Sequence, residues 1–249
     1  MSELLDRARA YGAAGEHAKC AATYEAALAD PSMAAGDRVH VLSHLSAAYR
    51  LADRLDYAIR AALDAVGIAI SAADRRAEAH AQLTLASARL ALIQSSDNWE
   101  AFDDVMSSLD RSASIYEQLG SIALGATLLT MADALTMADE PDTAWGIYAR
   151  VTRDLSDARW ASPESNARHA DYVRGRAFVG LAEICVRRGL RDEAVDHFEA
   201  GVSLLVASRD ATAAPILHQI ADWFESDLSD PTSATRLRRA ARALLHPAS

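Results

Sequence analysis

Residues 8–31 read ARAYGAAGEHAKCAATYEAALADP, and the spacing inside this stretch decides the fold. Ala8 and Tyr11 stand three apart, on one face of a helix. Gly15 ends that helix, because glycine accepts the left-handed backbone of a C-terminal cap. Cys20, Tyr24, Ala27 and Leu28 recur at helical spacing on a second helix, which Pro31 closes. Small residues let the two helices approach and the tyrosines fill the gap between them. The stretch encodes a short helical hairpin.

One hairpin cannot bury its apolar face alone, so further copies are expected. GLAEICVRRGLRDEAVDHFEAGVSLL repeats every interval, with Ala182, Cys185, Gly189, Ala194, Phe198, Gly201 and Val202. LSAAYRLADRLDYAIRAALDAVGIA does so with Ser46, Tyr49, Asp53, Ala58, Ala62, Ala65 and Val66. MADALTMADEPDTAWGIYARV supplies Ala132, Leu135, Asp139, Ala144, Tyr148 and Val151. A weaker last copy runs Ala221, Phe224, Leu228, Ser233, Leu237 and Ala240. A third copy is irregular: it has Ala86 and Arg89, a turn expected near Ile93, and about seven extra residues before Val105, Leu109 and Ser112. No alternating strand pattern competes, so the fold class is all-α.

The recurring spacing resembles the tetratricopeptide repeat (TPR) family, in the form of helical-repeat modules attached to bacterial regulators. Asp53 and Asp139 stand where the family has its turn glycine, the family's early Trp is absent, and the repeats exceed the usual ~34 residues. The resemblance implies an α-solenoid of about six antiparallel helix pairs in a right-handed superhelix, its groove lined by first helices. A single domain over 1–249 is expected, with hairpins near 2–34, 38–72, 76–119, 123–157, 168–207 and 212–246.

The chain has 249 residues, of which 51% are hydrophobic and 24% charged, which suffices for a real core. Net charge is −10, whereas phosphate backbones demand clustered Lys and Arg, so direct nucleic-acid binding is not expected. The basic run Arg236, Arg238, Arg239 and Arg242 reads as the solvated face of a last helix. Lys19 is the sole lysine, a composition that with abundant Ala suggests a GC-rich bacterial genome. No apolar run is long enough to span a membrane and MSELLDRARAYG lacks the layout of a secretion signal, so a cytoplasmic location is expected. Cys20 and Cys185 sit in apolar contexts and are expected to be buried and reduced.

Helical phase selects the groove-facing side chains. The first three hairpins offer Arg9, then His40, His44 and Arg50, then His80 and Leu83. The last three offer Leu129, Asp133 and Met137, then Arg176, Glu183 and Arg187, then His218 and Asp222. His40 and His44 stack four apart on one helix, a spacing that can chelate a metal, with His80 and Glu78 nearby. The His-Glu-x-x-His motif is missing, and neighbouring first helices stand about 10 Å apart. Polar groove lining, with no metal and no cofactor, is the expectation. The sequence holds no phosphate-binding glycine loop and no Gly-x-Ser-x-Gly elbow. The inserts around Trp99 and Trp160 form a competing edge.

Three functions follow. The first is a binding module that holds a partner protein or peptide. The second is a regulatory module that senses a small molecule or peptide and acts through a partner. The third is an enzyme that uses groove His, Asp and Glu for acid–base or metal-assisted chemistry. The absence of a catalytic motif leans against the enzyme.

Overall fold

The computed structural model describes residues 2–157 and 164–245, and every described element is helical. Contacts along the chain divide it into two compact units, Met1–Thr127 and Leu128–Ser249. The first unit holds α1 (Ser2–Ala13), α2 (His17–Leu28), α3 (Ala35–Leu51), α4 (Leu55–Ser71), α5 (Arg75–Ser96) and α6 (Phe102–Gln118). Helix α7 (Ala123–Met137) crosses the boundary. The second unit continues with α8 (Pro141–Asp154), α9 (Glu164–Arg187), α10 (Arg191–Ser208), α11 (Ala214–Ser226) and α12 (Pro231–Leu245). Helices adjacent in sequence pack as antiparallel pairs, among them α1 with α2, α3 with α4, α5 with α6, α9 with α10 and α11 with α12.

The small residue expected where paired helices touch is buried in every pair. Ala8, Ala86, Ala132, Ala182 and Ala221 are fully buried, and Ser46 is 1% exposed. Ser46 also donates its hydroxyl hydrogen to the carbonyl of Ala58 on the paired helix at 2.8 Å. The facing positions are equally closed: Ala58, Ala62, Ala65 and Ala69 of α4 are all fully buried. In the second unit Phe198, Leu217, Ile220, Phe224 and Leu237 share one core. Burying a side chain of this size contributes about 1.5–3 kcal/mol.

Six turns share one hydrogen-bond pattern, in which an amide closes back on the carbonyl five residues earlier. The donors are Glu16, Arg54, Asp74, Ser121, Glu140 and Leu190, at 2.9–3.1 Å. The residue before each donor has positive φ: Gly15, Asp53, Ala73, Gly120, Asp139 and Gly189. Asp tolerates this left-handed conformation better than Ala does, because its side chain can bond locally. Ala73, at φ 54°, has no such compensation. Ala73→Gly is therefore expected to stabilise the protein by about 0.5–1 kcal/mol despite the greater entropy of glycine in the unfolded chain. A urea midpoint that does not rise would contradict this.

Two copies depart from the expected register. Helix α5 does not turn near Ile93, which is 1% exposed inside the helix. It runs to Ser96 and ends at Asp97, whose amide returns to the Ile93 carbonyl at 2.8 Å. The residues that follow form a short 3-10 turn, Trp99–Ala101, so the extra length becomes helix and turn instead of an open loop. Val105, Leu109 and Ser112 are nevertheless fully buried, as their spacing required. In the last pair the turn is one residue longer, and the amide of Asp230 reaches back to Phe224. Ala234 and Ala241 consequently enter the core in place of the expected Ser233 and Ala240, while Leu237 keeps its place.

Cys20 and Cys185 are both free and buried. Among the described residues no helix is long and apolar enough to cross a membrane.

Candidate functional sites on the first-helix faces

In the first unit, four rings form a row across α2, α3 and α5. Tyr24 stacks on His44 at 5.7 Å between centroids. His44 meets His40 edge-on at 4.3 Å, and His40 stacks on His80 at 6.3 Å. The Nε2 atoms of His40 and His44 are 3.0 Å apart, so one ring donates to the other. A cavity of about 480 Å³ opens beside the row, lined by His40, His80, Asp74, Arg76, Tyr116 and Ser121 among others. Arg50, half-buried in the last turn of α3, has no ion-pair partner among the described residues.

Burial, reinforced by the neighbouring imidazoles of His40 and His80, lowers the pKa of His44 to about 4. His80 is lowered by burial and by His40. A folded-state value below the unfolded one means that the unfolded chain binds the proton first. The linked stability is therefore intact above pH ~6.5 and is lost as pH falls towards 4, by at most about 3 kcal/mol. His44→Gln is expected to flatten the pH dependence of unfolding in this window. An unchanged profile would contradict the assignment.

In the second unit, α7, α8 and α9 build a polar cluster. The Tyr148 hydroxyl donates to Asp133 Oδ1 at 2.6 Å and Arg176 Nη2 donates to Asp133 Oδ2 at 2.8 Å. Burial raises the Asp133 pKa, against the opposing pull of Arg176 and Tyr148. Glu183 is also raised, by burial and then by the charge of Asp133. Its Oε1 accepts from Gln219 Nε2 at 3.1 Å. Glu183 and Gln219 line a cavity of about 330 Å³ with Val186, Arg187, Phe198, Ile220 and Trp223. The indole nitrogen of Trp223 is buried without a hydrogen-bond partner.

No protein-family model matches the chain, and no curated protein matches it either. Among solved structures it is similar to the nearly identical TPR-like repeats assigned to a kinesin light chain of Podosopora anserina. That match has a TM-score of 0.59 at 16% identity and covers 82% of this chain and 93% of the other. The chain has a TPR-like helical-repeat fold.

This TPR-like frame sorts the remaining residues chosen from sequence. Within the first unit it brings His40, His44 and His80 together, while Arg9 is exposed and paired with Asp6 of its own helix. Leu83 is half-buried on α5. Leu129 is a correction: at 6% exposure it belongs to the core and cannot supply apolar contact to a ligand. Met137 and His218 are half-buried on α7 and α11. Asp222 is exposed on α11 and, like Glu225, pairs with Arg238 of α12 at 2.6 Å. These pairs engage Arg238 on the surface of α12. Arg187 donates to the Thr136 carbonyl at 3.3 Å.

Phase counting missed Tyr24, Tyr116, Gln219 and Trp223 as site residues. Tyr24 and Tyr116 belong to second helices, and their spacing marks them only as packing. Trp99 packs on Phe102 at 5.5 Å and its indole donates to Asp97, which ties the turn down locally. The expectation attached to Trp160 lies outside the described residues. Among the described residues no group of three His, Cys, Asp or Glu side chains is placed to hold a metal ion.

Proposed function

We propose that this chain is a binding module that holds a partner protein or peptide against its first helices. The observation that supports it best is the contrast between free and engaged polar groups. His40 is exposed beside a cavity, and Arg50 has no ion-pair partner among the described residues. Asp133, the carboxylate best placed for acid–base work, has both oxygens committed to Tyr148 and Arg176. Helical repeats of the TPR-like kind typically bind proteins, which is a fold-level analogy. Polar groups at such a face orient a ligand, while apolar cavity walls supply contact area. A cytoplasmic setting fits two buried free thiols.

The test is a selection of binders from a random peptide library on the whole protein, followed by Arg50→Ala and His80→Ala. A guanidinium that meets a carboxylate in bidentate fashion contributes about 1.5–3 kcal/mol. Selected peptides are expected to weaken about tenfold or more with Arg50→Ala, at unchanged melting temperature. Binders indifferent to both substitutions but lost on changing Trp99 and Phe102 would move the site to that edge.

A further inference from the structure

The pairing of His40 and His44 goes beyond what partner binding requires. Their Nε2 atoms are 3.0 Å apart on one helix face. Histidine nitrogens bind first-row divalent ions at about 2.0–2.1 Å, so two bonds at a right angle place the nitrogens about 2.9 Å apart. A tetrahedral angle would require about 3.4 Å. The observed separation matches the right-angle case. We infer that His40 and His44 form a two-histidine chelate for a divalent ion of tetragonal preference, of the Cu(II) or Ni(II) class.

Each ligand is positioned for this. His40 is exposed, so an ion can reach the pair from solvent. Tyr24 stacks on His44 with the two planes 11° apart and fixes the plane of that ring without touching its edge-on meeting with His40. His80 lies with its ring centroid 6.3 Å from that of His40, stacked on its face, and is not a third ligand. Water completes the coordination. Binding needs both imidazoles as the Nδ1–H tautomer with the Nε2 lone pairs directed at the ion. It replaces the Nε2–Nε2 hydrogen bond, the one bond that metal binding gives up. Open water positions would let a carboxylate or imidazole of a docked partner join the metal.

The experiment is a calorimetric Ni(II) titration of the whole, chelator-treated protein at pH 7.5, with His40→Gln, His44→Gln and His80→Gln alongside. Wild type is expected to bind one Ni(II) saturably. His40→Gln and His44→Gln are each expected to weaken that event at least tenfold, and His80→Gln less than threefold. If His44→Gln fails to fold, the exposed His40→Gln carries the test alone. Absence of a saturable event in wild type, or unchanged affinity in His40→Gln, would overturn the inference.

Discussion

Gly180→Ala is expected to cost about 3 kcal/mol. A Cβ at this position would stand 2.4 Å from Cζ of Tyr148 and 2.7 Å from both Cε atoms. Ordinarily a ring tip could swing aside. Here Tyr148 is 2% exposed and its hydroxyl is held by Asp133. Moving the ring would break that bond and expose the Asp133 carboxylate's loss to Arg176 alone. The backbone of α9 must shift instead, and Gly175 nearby leaves it little freedom, with its own missing Cβ 3.0 Å from the Gly201 carbonyl. Urea unfolding of Gly180→Ala, Tyr148→Leu and the double variant checks the mechanism. A strong positive coupling is expected, because Tyr148→Leu removes the clash. An unchanged midpoint for Gly180→Ala would show that α8 and α9 do not meet as described.

Arg111→Met is expected to cost about 2 kcal/mol in the first unit. Glu78 is 5% exposed, the most deeply buried carboxylate among the described residues. Arg111 binds its Oε1 through both Nε and Nη2 at 2.8 Å, and Arg75 binds Oε2 at 3.1 Å. Removing one partner of a buried charge costs more than the pair contributes, since the remaining charge is stranded in a poor solvent. Arg111 is itself 49% exposed, which places the loss below the ~3–5 kcal/mol seen for fully enclosed pairs. Glu78→Leu combined with Arg111→Met should recover most of the stability. A double variant no better than Arg111→Met would mean that the lost stability came from the aliphatic stem of Arg111 and not from its charge.

The helix pairs were legible because one small residue per first helix must touch its partner. Ala8, Ser46, Ala86, Ala132, Ala182 and Ala221 obey that steric demand without exception. Helix ends were less legible. A turn glycine announces itself, but Asp97 ends α5 with the same left-handed backbone as many an aspartate elsewhere in loops. Nothing in the sequence of the last pair marks the added residue that shifts Ala234 into the core. Phase also assigns a face and not a reach. It grouped His40, His44 and His80, whose rings lie together, yet it could not foresee the pairing of Asp222 with Arg238, sixteen residues away on a different helix. It likewise could not join Asp133 to Tyr148, which belong to different helices and to different roles in the repeat.

The binding proposal stands most directly on where a ligand leaves its footprint. Hydrogen–deuterium exchange of the whole protein, with and without a library-selected peptide, reads this helix by helix. The expected result is slowed exchange in α3 and α5, centred on the turns that carry His40, His44 and His80. Protection confined to α4 and α6, with α3 and α5 unchanged, would contradict it.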